Sequence, residues 1–319
     1  MNLERHIVIL GTGGTIAGTG HDPDRAWHYD AAQLSVAQLV AAVPALGDET
    51  LRCRQVAQVD SKDMNWSIWR ALAQALSEEL ARDDVAGVVI THGTDTLEET
   101  AYLLHRLHDG RKPVVLTAAM RPATAPDADG PRNLLDAVRT ARWAAARGQG
   151  GVAVVMAGQV WSGLHVRKAH THAVEAFDGG GASALATVLP HGEWLALVDA
   201  WPQSGRAGWA VLDAPAPPRV EIVTSHADAD GVMVRALWAA APDLKGVVVA
   251  ATGHGTINEP LRQALQQLSL VGITVWRSSR VARGGVQPRD GDEFTAVEGL
   301  TAAQARLALV LHELGARLD

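Results

Sequence analysis

The sequence predicts an α/β protein built as two α/β domains. The larger, N-terminal one has a mostly parallel sheet with helices on both faces, and the C-terminal one is a smaller α/β domain. Three observations predict this. First, short continuous apolar runs, such as residues 7–10 and 85–91, read as strands buried on both faces, which is typical of parallel sheets. Second, these runs alternate with helical patterns along the chain, as βαβ units require. Third, proline, glycine and alanine crowd into residues 199–218, which read as a linker. The expected domains are therefore 1–198 and 219–319.

Bulk properties exclude several function classes. A chain of 319 residues accommodates two domains. A net charge of -7 and a pI near 6.0 argue against a nucleic-acid surface. Cys53 is the single cysteine, so no internal disulfide forms, and this usage fits a reducing compartment. Neither a secretory pattern nor an apolar span of membrane length is present. The expectation is a cytoplasmic protein with no membrane partner.

The first element is the stretch IVILGTGGTIAG at 7–18. Its apolar run predicts a strand. Gly11, Gly13 and Gly14 let the backbone turn sharply, approach a ligand closely and aim N–H groups at an anion. Thr15 is presented where the turn ends. A dinucleotide-binding loop needs G-x-G-x-x-G, and counting from Gly11 places Ile16 at the third glycine. No phosphate-binding G-x-x-x-x-G-K-[ST] run exists either. Residues 17–32 are rich in glycine and aspartate and read as a loop longer than packing needs, a candidate lid.

Residues 33–43 read as a helix with Leu34, Leu39 and Val43 on one face, and 54–59 as a strand ending at DSKDMN. Residues 66–82 read as the next helix. The strand at 85–91 is followed by HGTDT and a helix from Leu97, with Leu97, Ala101, Leu104 and Leu107 at helical spacing. Thr96 and Glu99 fit a capping box. Thr94 and Asp95 then stand between a strand's carboxyl end and a helix's N-terminus, where open α/β sheets bind ligands. KPVVLTAAMRP at 112–122 predicts a further strand, 131–147 a helix and 151–157 a strand. The C-terminal part repeats strand and helix up to the final helix, LTAAQARLALVLHEL.

Two strands of one sheet thus deliver Thr15, Thr94 and Asp95 to one pocket, and the chemistry expected there is attack of a hydroxyl on a carboxamide. GTGGTIAG and THGTDTLEETA resemble the two signature segments of the bacterial-type L-asparaginase and glutaminase-asparaginase family. DSKDMN at 60–65, KPVVLTAAMRP, DGPRNL at 129–134 and RSSRV at 277–281 agree in order, so the resemblance covers nearly the whole chain.

The resemblance implies hydrolysis of L-asparagine, with L-glutamine as a minor substrate and no cofactor. It implies that Tyr29 closes over the substrate beside Thr15 and that Ser61 holds the α-carboxylate. Asp95 would hold the α-amine, and a backbone carbonyl at Ala119 the amide nitrogen. Gly93 and Thr94 would line the pocket, with Lys168 as partner of Thr94 and Asp95. Lys62 stands where the family usually has glutamine near the α-amine, and a lysine there repels an ammonium unless it points elsewhere.

Lysine is scarce in the chain, and a desolvated lysine shifts its pKa where arginine cannot, so Thr94, Lys168 and Asp95 read as a proton relay. Thr15 is assigned as nucleophile, with Thr94 as the rival. The family often completes its site with an acidic residue of a neighbouring subunit, for which Asp290, Asp292 and Glu293 are candidates. That implies a homo-oligomer, a dimer or tetramer. His165, His170 and His172 cluster without a metal-binding framework and read as structural or solvated. The competing functions are a non-catalytic amino-acid-binding or regulatory protein using the same pocket, and an ammonia-supplying amidotransferase subunit.

Overall fold

The structure, a computed structural model, describes residues 5–20, 29–205 and 207–316. The chain divides into two compact units, Met1–Asp213 and Ala214–Asp319.

The first unit holds an eight-stranded sheet. Its strands are β1 (His6–Gly13), β2 (Leu51–Val59), β3 (Val85–Thr91), β4 (Pro113–Thr117), β5 (Gly151–Met156), β6 (Gln159–Ser162), β7 (Ala186–Val188) and β8 (Trp194–Ala196). They lie in the order β8-β7-β6-β5-β4-β3-β1-β2. The five strands β2, β1, β3, β4 and β5 are parallel, and the other three add an antiparallel edge.

Side-chain alternation divides the core in two. Ile7 and Ile9 point to the face covered by α1 (Val36–Ala41) and α4 (Gly130–Ala146). Val8 and Leu10 point to the face covered by α2 (Trp66–Leu80) and α3 (Leu97–Leu107). Leu97, Ala101 and Leu104 are buried there, on the helical spacing the sequence shows. Each such leucine contributes about 1.5–3 kcal/mol through burial.

Some boundaries differ from expectation. The helix expected over 33–43 is only Val36–Ala41, because Pro44 opens a separate turn at Pro44–Leu46. The strand expected over 54–59 begins at Leu51, since Leu51 to Gln55 pair in register with β1. The capping box at Thr96 and Glu99 does not form; the Thr96 hydroxyl donates to Ser61 O at 2.8 Å instead.

Both α3 and α4 carry the chain one strand onward in the same direction, yet they lie on opposite faces. The α4 crossover therefore has the opposite hand to the α2 and α3 crossovers, against a strong general preference for one hand. Its consequence is local: the N-terminus of α4 packs under the turn that carries Thr15. A Cβ on Gly130 would lie 3.0 Å from Ile16 Cγ1.

The second unit holds a four-stranded parallel sheet, β9 (Arg219–Thr224), β10 (Leu244–Ala251), β11 (Thr274–Ser279) and β12 (Thr295–Ala296), in that order. Helices α5 (Val232–Ala240) and α6 (Glu259–Leu270) share one core with it, through Val234, Leu261, Leu265 and Leu268. The helix α7 (Ala302–Glu313) packs on this sheet as well: Leu309 stands where a Cβ of Gly246 would meet it at 2.6 Å. Among the described residues no helix is long and apolar enough to cross a membrane.

Candidate active site

The chain leaves β1 for β2 on one side and returns to β3 on the other. That makes the carboxyl ends of β1 and β3 a topological switch point, the crevice where open α/β sheets bind ligands. Thr15 opens a short 3-10 turn, Thr15–Ala17, directly after β1. Ile16 anchors this turn in the core while Thr15 remains only 7% exposed. Gly14 precedes it at φ 83°, a conformation that favours glycine. A Cβ on Gly14 would also lie 2.3 Å from the backbone of Gly93, so the two turns touch there. Thr12 adds a second tie, its hydroxyl donating to Thr91 O at 2.9 Å.

Tyr29 lies in a two-residue ladder in which Tyr29–Asp30 pairs with Thr19–Gly20. Its hydroxyl shares a 2.8 Å hydrogen bond with Thr15 Oγ1. The middle of the candidate lid, 21–28, lies outside the described residues.

The second cluster stands on the β3 side. Lys168 Nζ donates to Thr94 Oγ1 at 2.9 Å and to Asp95 Oδ1 at 2.7 Å. Thr94 is buried, the Lys168 side chain is mostly buried, and the Asp95 side chain is half-exposed. Lys168 itself is positioned from its backbone, since its N–H donates to Glu98 Oε2 at 2.6 Å. The ladder of Arg167–Lys168 with Phe177–Asp178 fixes the segment from its other side.

Ser61 begins the turn after β2 and is buried. Its Oγ accepts the Asp95 N–H at 3.1 Å, so its own O–H is free to donate elsewhere. Ser61 Oγ also lies where a Cβ on Gly93 would fall, 2.5 Å away, so position 93 has no room for a side chain. Lys62 points away from this cluster: its Nζ binds Asp60 Oδ2 at 2.6 Å and Asp63 Oδ2 at 3.3 Å. The Asp60 hydrogen bond raises its pKa above the usual lysine value.

Ala119 is fully buried just beyond β4. The turn is held from behind: Met120 N and Arg121 N donate to the Asp129 carboxylate, each at 3.0 Å, and Asn133 Nδ2 donates to Ala118 O at 3.0 Å. Asn133 Oδ1 also accepts the Ala157 N–H at 3.0 Å, supporting a non-glycine residue at φ 48°.

Other candidates lie apart. Among the described residues no group of three His, Cys, Asp or Glu is placed to hold a metal ion. The His170 Nδ1 accepts backbone N–H groups of His172 at 3.2 Å and Ala173 at 2.9 Å, a turn-forming role. Asp292 pairs with Arg277, and Glu293 with Arg262 at 2.9 Å, both within the second unit. Asp290 is exposed. A cleft of about 520 Å³ lies at the far ends of α2 and α3, lined by Leu80, His108, Lys112 and Trp209, and contains neither Thr15 nor Thr94.

The sequence reading missed Thr12, Glu98, Asp129 and Asn133. Each stands inside a quoted segment, Thr12 in GTGGTIAG, Glu98 in THGTDTLEETA and Asp129 and Asn133 in DGPRNL, but no local pattern names a partner that lies 8 to 79 residues away in sequence.

Fold and site together define a doubly wound α/β protein with threonine-centred polar clusters at its switch point. The chain belongs to the asparaginase family: residues 6–199 match the model of the asparaginase N-terminal domain, and residues 219–313 that of the glutaminase/asparaginase C-terminal domain. The chain is 35% identical over 309 residues to a glutaminase-asparaginase of Pseudomonas fluorescens biotype A, covering 95% of this chain and 84% of that protein. To L-asparaginase 2 of Escherichia coli K12 it is 36% identical over 312 residues, covering 96% and 88%. The solved structure of a probable cytoplasmic L-asparaginase from Campylobacter jejuni superimposes with a TM-score of 0.90 at 35% identity, covering 99% of this chain and 96% of that one.

Proposed function

We propose that this protein is an amidohydrolase that converts L-asparagine and water to L-aspartate and ammonia through a threonine ester. The observation that carries the reading is the pair of hydroxyl clusters, Thr15 with Tyr29 and Thr94 with Lys168 and Asp95, on touching turns in a chain of this family.

The α-carboxylate is held by the free Ser61 O–H and by turn N–H groups, and the α-ammonium by Asp95. The amide nitrogen meets the carbonyl of Ala119, while Gly93 lets Ser61 pack directly against the turn. Thr15 Oγ attacks the side-chain amide carbon; its proton passes to the Tyr29 oxygen as the Tyr29 O–H hands its own proton on towards the amide nitrogen. The nitrogen takes a proton and leaves as ammonia. Water, activated by Thr94 and Lys168, then attacks the ester; the acyl–oxygen bond breaks, aspartate forms and the Thr15 hydroxyl is restored. A threonine hydroxyl needs such a neighbouring base to become a competent nucleophile.

Glutamine is the expected minor substrate, because one methylene is worth only about 1–3 kcal/mol in a pocket. No cofactor takes part. A homo-oligomer, completing the site in trans, and a cytoplasmic location belong to the same reading; light scattering and cell fractionation check them.

The deciding experiment is ammonia release from L-asparagine and L-glutamine by wild type, Thr15→Ala and Thr94→Ala. Release from asparagine that falls about 10²–10⁴-fold in both variants, with a trapped ester only where Thr15 is present, is the expected result. A trapped ester on Thr94 would exchange the two roles. Binding of asparagine without any release would leave a non-catalytic amino-acid-binding protein.

A further inference from the structure

The DSKDMN turn carries a positive charge that the proposed reaction does not use. Ser61–Asp63 form a short 3-10 turn after β2, and Asp60 caps it, its side chain accepting the Lys62 N–H. This turn lies directly against the one that follows β3. Ser61 Oγ accepts the Asp95 N–H at 3.1 Å, and Ser61 O accepts the Thr96 hydroxyl at 2.8 Å. Lys62 is therefore the next residue along from one that touches both 95 and 96. Its flexible four-carbon stem lets the ammonium sweep the surface around that contact.

Asp95 has one oxygen left to offer there. Lys168 Nζ occupies Oδ1 at 2.7 Å, and Oδ2 bonds to no described residue. A carboxylate accepts at both oxygens, so Oδ2 can take a second cation. In the amidohydrolase reading that cation is the substrate's α-ammonium. A lysine of the same chain that reached Oδ2 would compete for it, and would repel the ammonium as well.

Lys62 is held elsewhere. Its Nζ binds Asp60 Oδ2 at 2.6 Å and Asp63 Oδ2 at 3.3 Å. Among the described residues neither carboxylate has another cationic partner. Lys62 thus faces two negative charges that nothing else neutralises, against a single one on Asp95 that Lys168 already meets. Exposed ion pairs are individually weak, so this difference in charge decides where the ammonium sits.

We propose that Asp60 and Asp63 are specificity-determining residues: by keeping the Lys62 ammonium on their side of the turn, they leave Asp95 open to an α-ammonium and so admit α-amino acids as substrates. The assignment rests on the amidohydrolase reading for the place of that ammonium. It separates two duties within one turn, with Ser61 facing the substrate's carboxylate and the two aspartates restraining the cation beside it.

The test uses Asp60→Asn in the full-length protein, which keeps an oxygen to cap the turn and removes the charge. KM for L-asparagine and Kd for L-aspartate are expected to rise about three- to tenfold, the scale of one like charge near a partly exposed site. Succinate, which lacks the α-ammonium, should bind no more weakly than to wild type. Adding Lys62→Met to Asp60→Asn should return L-aspartate binding to within about twofold of wild type, because the two side chains act as one unit. Unchanged L-aspartate binding in Asp60→Asn/Asp63→Asn would overturn the assignment. So would an equal loss for succinate, or a loss that persists once Lys62 is removed; the last comparison decides alone where succinate binds too weakly to measure. Should Asp60→Asn not fold, Asp60→Ser supplies another capping oxygen without charge and is read in the same way. The amidohydrolase reading fails separately, if wild type releases no ammonia. The binding comparison then still decides the role of Lys62, and absence of L-aspartate binding to wild type overturns it.

Discussion

Lys168 stands between an alcohol and a carboxylate, and each contact specifies a different property of the side chain. The reach to Thr94 Oγ1 and Asp95 Oδ1 requires a long flexible stem, and the proton role proposed above requires a group that can give its proton up. Lys168→Arg is therefore expected to fail nearly as badly as Lys168→Met, both losing about 10²–10⁴ in kcat by steady-state assay. Near-normal kcat in the arginine variant would reduce Lys168 to a source of positive charge. Glu98 acts through the Lys168 backbone N–H, an acceptor role that glutamine can also fill. Glu98→Gln should consequently cost less than about tenfold, and Glu98→Ala clearly more, because the N–H then loses its partner. Much of this scale was legible, since Thr15, Thr94 and Asp95 stand in motifs and Lys168 is one of few lysines in the chain. Thr96 was misread because a Thr-x-x-Glu spacing describes a local cap, while the nearby Ser61 carbonyl competes for the same hydroxyl.

Among the elements, β1 and β3 do the positioning. They are adjacent and paired, so the turns that follow them meet, and Gly14 packs against the backbone of Gly93. Gly14→Ala is expected to lower both stability, by at least about 2 kcal/mol, and kcat, because the new Cβ has a positive φ and a backbone in its way. A urea midpoint and a steady-state assay on the same preparation check it; an intact kcat would mean that the two turns move apart freely. Helix α4 explains why its N-terminus carries Asp129 and Asn133. Its crossover places them behind Ala118 to Arg121, where they satisfy backbone groups that no strand neighbour reaches. The sequence shows this helix by its periodicity, but no periodicity tells which face of the sheet it covers. Trp143 and Trp194, two of the ten tryptophans, stack at 5.8 Å between α4 and the edge strand β8.

For the molecule as a whole, buried histidines set the acid limit. Burial lowers the pKa of both His92 and His105 from 6.5 to about 4. Their folded pKa values lie below the unfolded one, so between these pH values the unfolded chain binds more protons, and stability falls as pH falls from about 6.5 towards 4. Each group accounts for a loss of about 3 kcal/mol over that window. Thermal unfolding at pH 7.5, 6, 5 and 4 should show a steady fall in Tm, and His105→Gln should flatten it. A Tm unchanged down to pH 5 would show that the rings find charge partners when protonated. The two units follow the division of the chain into two alternating strand–helix series, each with its own core.

By itself the sequence determined the α/β class, the strands β1 and β3 and the two threonine turns. Those features depend on apolar runs, periodicity and glycine placement, all of which are local. Tertiary structure alone decided that the switch point lies between β1 and β3, that α4 covers the face of α1, and that Lys168 reaches Thr94 from 74 positions further along the chain. Strand order, crossover hand and hydrogen-bond partners are set by which surfaces meet after the chain collapses, and no local pattern encodes that choice.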